Sequence, residues 1–238
     1  MYWDILITGF IVDCILYKRF KKRIWTDKGV IGEADVHREI RKLPGHKKTL
    51  TNCYIPTDEG TTEVDVIMIN ELGIFVIESK NYSGIICGNE DDRMWTEVFP
   101  VYRYDHRDFD FYNPIMQNET HIKWLKAVLE LDDSTPIYSI VLFSNDCELR
   151  NIKILAPNVY VGYQVWLKHI FRDIVHMNES RITKDDIKSI YRQLEPYTHV
   201  SEKEREAHIE RIKNKLKTNG KAEKCPTASP TSKPSTNS

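Results

Sequence analysis

Thr62–Gly88 reads TEVDVIMINELGIFVIESKNYSGIICG, two apolar runs broken by three charges. Glu63–Ile69 and Gly73–Ile77 are short, nearly continuous apolar runs rich in Val and Ile. Runs of that kind mark strands buried on both faces of a sheet. Three charges interrupt them: Asp65 inside the first, and Glu78 and Lys80 at the end of the second. A carboxylate buried without a partner is expensive, so this stretch requires a cation or a set of hydrogen bonds. With Asn70-Glu71-Leu72-Gly73 as the hairpin turn, Asp65 falls opposite Glu78, with Cβ atoms roughly 4.5–5.5 Å apart on one face. Lys80, two residues on, shares that face because side chains alternate with period two. Two carboxylates so close repel each other unless a divalent cation lies between them. A lysine alongside can orient a water or stabilise charge developing on a phosphoryl group. Such an oxygen-rich site suits Mg²⁺ or Mn²⁺. A buried ion-pair cluster at a strand end accounts for the same three charges, and spacing alone does not separate the two readings.

Working outward, Gly29–Leu43 predicts a helix with Val36, Ile40 and Leu43 on one buried face, stopped by Pro44-Gly45. Leu50–Ile55, Ile85–Gly88, Met94–Phe99, Ile137–Phe143 and Val159–Val161 read as strands. Asn113-Pro114 starts a helix, Asn as cap and Pro in the first turn, running to about Leu131. Gln117 and His121 share one face of it with Trp124 and Val128. His121 is expected there as a structural hydrogen-bonder and not as a metal ligand. Val101–Tyr112 (VYRYDHRDFDFY) mixes Arg103 and Arg107 with aromatics, but its acids cancel its cations, so a solvated surface loop is expected. A helix follows Val159–Val161 to about Ile174; Thr183-x-x-Asp186 opens another to about Leu194, and Ser201-x-x-Glu204 a charged one to about Lys217. The mixture predicts an α/β or α+β fold, a mixed sheet flanked by helices.

The 238 residues suffice for one sizeable domain with appendages, and 41% hydrophobic with 29% charged residues is ordinary for a globular protein. A net charge of −1 carries no global basic signature of a nucleic-acid binder, so polyanion binding requires a local patch or a bound cation. The five cysteines are dispersed with no C-x-x-C pair, which excludes a zinc knuckle or disulfide framework and fits a reducing cytoplasm. Residues 2–17 (YWDILITGFIVDCILY) are strongly apolar and run into KRFKKR, ending at Arg23. Sixteen helical residues reach about 24 Å against roughly 30 Å of hydrocarbon, and Asp13 disfavours burial in it. This segment therefore reads either as a short anchor on the cytoplasmic face of a membrane or as a helix in the interface or packed on the domain. Lys18–Arg23 would meet an anionic lipid surface. From residue 218 the chain is rich in Pro, Ser and Thr with no large apolar residue, and reads as a disordered tail.

Gly32-Glu33 on the first helix, Glu63-Val-Asp65, and Gly73-Ile-Phe-Val-Ile-Glu-Ser-Lys-Asn-Tyr82 with Gly84, Gly88 and Trp95 together resemble the nuclease-related (NERD) domain. Asn113-Pro114-x-x-Gln117-Asn118-x-x-His121 matches that family's helix as well. The resemblance implies a PD-(D/E)xK restriction-endonuclease-like core over residues 29–143. An extension over 144–217 would pack on that core, between the segment 1–23 and the tail 218–238. It also implies that Glu33, Asp65, Glu78 and Lys80 hold active-site positions. Asp65 and Glu78 would bind Mg²⁺ or Mn²⁺, with the Ser79 carbonyl as a further ligand. Lys80 would position or activate a water, Glu33 would hold a second metal or a metal-bound water, and Gln117 would lie at the edge. Ser79 stands where such motifs often have Val. The expected function is hydrolysis of phosphodiester bonds, with DNA ahead of RNA as the partner. The rivals are a non-catalytic module that grips nucleic acid or a partner, and a membrane-tethered scaffold.

Overall fold

The computed structural model describes residues 34–101, 105–179 and 182–218. The apolar segment 1–23, Glu33 and the tail after residue 218 lie outside the described residues.

Two mixed sheets are flanked by helices. The larger has the order β1 (Lys47–Thr57), β2 (Gly60–Asn70), β3 (Gly73–Lys80), β7 (Ile137–Phe143), β9 (Val159–Tyr163). Its first three strands are an antiparallel meander, and β3, β7 and β9 are mutually parallel. The β2–β3 register is the expected one, with Asn70 opposite Gly73 and Val66 opposite Ile77. Gly73 has φ +150°, and a Cβ there would sit 2.3 Å from the Pro136 carbonyl oxygen, so the turn residue is fixed by conformation and by space.

One face of this sheet meets α1 (residues 34–42) and α3 (Leu167–Met177) over Val36, Met68, Phe75, Leu142 and Phe171. The other meets α2 (Pro114–Leu129) and α4 (Lys184–Leu194) over Ile55, Ile67, Val76, Leu125 and Ile187. Covering on both faces explains why β3 and β7 read as unbroken apolar runs. Two devices fix α2. Asn113 caps it, accepting the Ile115 N–H, and the fully buried Asn118 amide donates to the carbonyls of Val76 and Ile140 and to Ser139 Oγ. The Thr183–Asp186 and Ser201–Glu204 capping boxes form, the second opening α5 (Glu202–Thr218).

The second sheet, ordered β6 (Asp105–Tyr112), β5 (Met94–Val101), β4 (Ile85–Cys87), β8 (Glu148–Arg150), differs from expectation. The stretch read as a solvated loop over Val101–Tyr112 is in large part strand β6, paired in register with β5 from Met94–Tyr112 to Val101–Asp105. Its side chains from Arg107 to Tyr112 remain largely exposed. Neither alternating set of its residues is uniformly apolar; pairing with β5 and the half-buried Phe111, packed on Tyr82 and Trp95, hold the strand. The C-terminal part also does more than pack on the core, since β8 and β9 are strands of the two sheets.

Candidate active site

The site lies at the carboxyl end of β3, where the β2–β3 ladder stops at Val66–Ile77. One pair further on come Asp65 and Glu78. The β1–β2 ladder skips the Asn52–Asp65 pair between Thr51–Val66 and Cys53–Val64, and Asn52 takes a left-handed φ of +48°. This local kink lets Val64 and Ile67, three residues apart, pack into the same core. The Asp65 carboxylate accepts the Ser79 N–H at 2.9 Å, tying β2 to the end of β3.

Glu78 is only 2% exposed. Its Oε1 accepts from Lys80 Nζ at 2.6 Å, and Nζ also donates to Gln117 Oε1 at 3.0 Å. Its Oε2 lies 3.4 Å from His121 Nε2. Both of those atoms are buried without an aligned hydrogen bond. His121 is oriented through its other nitrogen, Nδ1, which shares a 2.7 Å hydrogen bond with Thr62 Oγ1. The structure thus brings Asp65, Glu78, Ser79, Lys80 and Gln117 to one strand end. Glu33 lies outside the described residues.

Electrostatics keep the pair charged. Burial alone pushes the Glu78 carboxyl up, but Lys80, and then His121, outweigh it and hold the group well below the usual carboxylate range. Burial likewise pulls the Lys80 ammonium down, and Glu78, Tyr82 and Asp65 more than reverse this. Tyr82 is raised chiefly by burial; it packs on Phe111 and Phe143 at centroid distances of 4.5 and 6.1 Å.

The donor set fits a hard divalent cation in kind. Asp65 and Glu78 offer carboxylate oxygens, and Glu78 Oε2 is a buried acceptor with no aligned donor. Among the described residues, no three His, Cys, Asp or Glu side chains gather closely enough to hold an ion. An ion here would therefore draw on two carboxylates, main-chain oxygen, water, and any help from Glu33.

Two functional contacts escaped the sequence reading. His121, expected as a structural hydrogen-bonder, makes its hydrogen bond to Thr62 but also stands against Glu78; helical spacing gave its face and not what that face meets. Glu97, 3% exposed, accepts the N–H groups of Ser83 and Gly84, both at 2.9 Å, and so fixes the loop that follows Lys80. A signal for it was present: a lone carboxylate inside the apolar strand WTEVF.

Comparison with known proteins identifies the family. Residues 28–144 match the nuclease-related domain. An uncharacterized protein of Bacillus anthracis is 30% identical over 198 residues, covering 82% of this chain and 89% of that one. No solved structure matches the chain.

Proposed function

The chain belongs to the nuclease-related domain family, and on that premise we propose that it hydrolyses phosphodiester bonds, in DNA before RNA, with Mg²⁺ or Mn²⁺ held by Asp65 and Glu78. The observation that carries this reading is the Glu78–Lys80–Gln117 cluster beside Asp65, charged and mostly buried at the end of β3. When bound, the cation supplies Lewis-acid polarisation of the phosphate and lowers the pKa of water. The Ser79 carbonyl and Glu33 are the further ligands this reading assigns.

The chain's own residues do the positioning. Asp65, anchored by the Ser79 N–H, holds its carboxylate at a fixed place beside β3. Two of the three hydrogens on Lys80 Nζ go to Glu78 and Gln117, which leaves one for a phosphate oxygen or an attacking water. Gln117 fixes the ammonium from the helix side, and Asn118 in turn fixes the helix on the sheet. His121 closes the rear of the site against Glu78.

The direct test incubates the full chain with labelled DNA and RNA in Mg²⁺ or Mn²⁺, alongside Asp65→Ala and Lys80→Ala. Cleavage by the wild type and its loss in both variants supports the reading. Equal cleavage by all three means a contaminant and overturns it. A second reading, a non-catalytic nucleic-acid- or partner-binding module, draws on the absence of a third ligand among the described residues; binding without cleavage across metals and substrates decides for it. Membrane association through residues 2–23 is a separate proposal. No helix among the described residues is long and apolar enough to cross a membrane, and cell fractionation with and without residues 1–23 tests it.

A further inference from the structure

The parallel strands β3, β7 and β9 end together: Lys80 is in register with Phe143, and Phe143 with Tyr163. Neighbouring strands lie about 4.8 Å apart, which puts the Tyr163 backbone about 10 Å from that of Lys80. The chain then turns through Gln164–Trp166 into α3. Gln164 is buried, and its side-chain amide lies 3.4 Å from Ser79 Oγ, which ties this turn to the residue between Glu78 and Lys80. The next two residues are exposed although both are large and apolar, Val165 at 52% and Trp166 at 48%. Trp166 is not a loose side chain. Its ring stands edge-on against Tyr163 at 4.8 Å, over Gly162, where a Cβ would come within 3.1 Å of it. Lys168, His169 and Arg172 are exposed on the first turns of α3.

An exposed indole packed on Tyr163 at the head of a helix that carries exposed cations, at the same sheet end as a candidate phosphodiesterase site, has the makings of a single-strand platform. Aromatic rings stack bases without regard to sequence, and adjacent cations follow the backbone. The β5–β6 pair is the competing surface, since Phe109 is 52% exposed there. Strand β6, however, carries Asp105, Asp108 and Asp110 against Arg107, a net −2, whereas Lys168 and Arg172 on α3 outweigh Asp173, 3.9 Å from Arg172, by +1.

We infer that Trp166, with Lys168 and Arg172, forms a stacking and phosphate-contacting shoulder that holds an unpaired stretch of nucleic acid at the sheet end where the bond to be cut lies. This rests on the phosphodiesterase reading of the neighbouring site and names its preferred substrate form as single-stranded or frayed. Trp166 acts in binding and orientation, not in the chemical step.

The test is fluorescence anisotropy of a labelled twelve-nucleotide oligo(dT), and of a blunt duplex of equal length, with the full chain in EDTA so that turnover plays no part. Trp166→Ala is expected to weaken oligo(dT) binding about tenfold or more, within the range of one lost base–aromatic stack. Trp166→Phe, which keeps a ring against Tyr163, is expected to bind within about threefold of wild type. It also separates loss of stacking from loss of fold. The duplex is expected to bind more weakly and to respond less. Equal oligo(dT) affinity of Trp166→Ala and wild type overturns the shoulder while leaving the hydrolytic reading standing, if Lys80→Ala abolishes cleavage. Tight oligo(dT) binding that depends on Trp166, with no cleavage in any metal, upholds the shoulder and overturns hydrolysis. Failure of the wild type to bind either oligonucleotide overturns the shoulder.

Discussion

Two glutamates of this protein are almost equally buried, Glu78 at 2% and Glu97 at 3%, yet they are held in opposite ways. Glu97 spends one oxygen on two main-chain N–H groups, those of Ser83 and Gly84. Main-chain donors cannot move or titrate, so Glu97 is an anchor for the loop after β3. Glu78 is held by side chains, Lys80 on one oxygen and His121 near the other, and its Oε2 has no aligned donor. A buried carboxylate satisfied by backbone is a structural fixture; one gripped by mobile charges and left short of a donor can accept something else.

The largest expected difference lies in the chemistry. Glu78→Gln and Lys80→Ala should each lower metal-dependent cleavage by at least about 10²-fold, the loss typical of a group that stabilises developing charge. Glu97→Gln should retain cleavage within about tenfold, because it acts on the site only through the loop. Loss of cleavage in a well-folded Glu97→Gln of the same size as in Glu78→Gln would erase the distinction.

Stability should separate the two less than cleavage does. Glu97→Ala leaves the buried Gly84 N–H and the N–H of exposed Ser83 without their acceptor and opens space below Gly84, where Glu97 Cγ now lies 2.8 Å from a would-be Cβ. A loss of about 3 kcal/mol is expected in urea denaturation. Glu78→Gln keeps the volume but leaves the buried Lys80 ammonium without its carboxylate, so a similar loss of about 3 kcal/mol is expected at neutral pH; a loss under about 1 kcal/mol would mean that Lys80 does not grip the carboxylate.

Acid titration sharpens the contrast further. The Glu78 carboxyl has a folded-state pKa lowered to about 2, so its ionised form contributes stability that is fully present above the unfolded-state value near ~4.3. That contribution is lost as pH falls through the folded value. Between those limits Glu78→Gln should show a shallower fall in stability than wild type, read as a smaller drop in urea midpoint from pH 5 to pH 3. An identical slope would mean that Lys80 does not grip the carboxylate as described.

The smallest effect concerns the turn after β4. Gly88 faces the Trp95 ring, and a Cβ there would approach it to 2.3 Å. Gly88→Ala should therefore cost about 1–3 kcal/mol through overpacking, measured by thermal unfolding, with cleavage preserved in the folded fraction.

What the sequence could show follows the same physical line. Asp65, Glu78 and Lys80 were legible because charges inside apolar strands demand a reason, and the Asn70–Gly73 turn fixed the β2–β3 register by counting. The kink at Asn52 and Asp65 was not legible, since a left-handed residue in mid-strand leaves no mark on hydrophobic alternation. Strand β6 was missed because pairing with β5 and Phe111 hold it and its own pattern has no uniformly apolar face. Trp166 stood out in no periodicity; only the parallel register of β3, β7 and β9 brings it to the end of the sheet where Lys80 lies.

Mn²⁺ anomalous diffraction from a crystal of the protein tests whether Asp65 and Glu78 share a divalent cation. An anomalous peak bonded to both carboxylates is expected in the wild type and is expected to be absent from Asp65→Ala. A saturating Mn²⁺ soak with no peak between Asp65 and Glu78, their side chains still locked on Ser79 and Lys80, would contradict a shared cation.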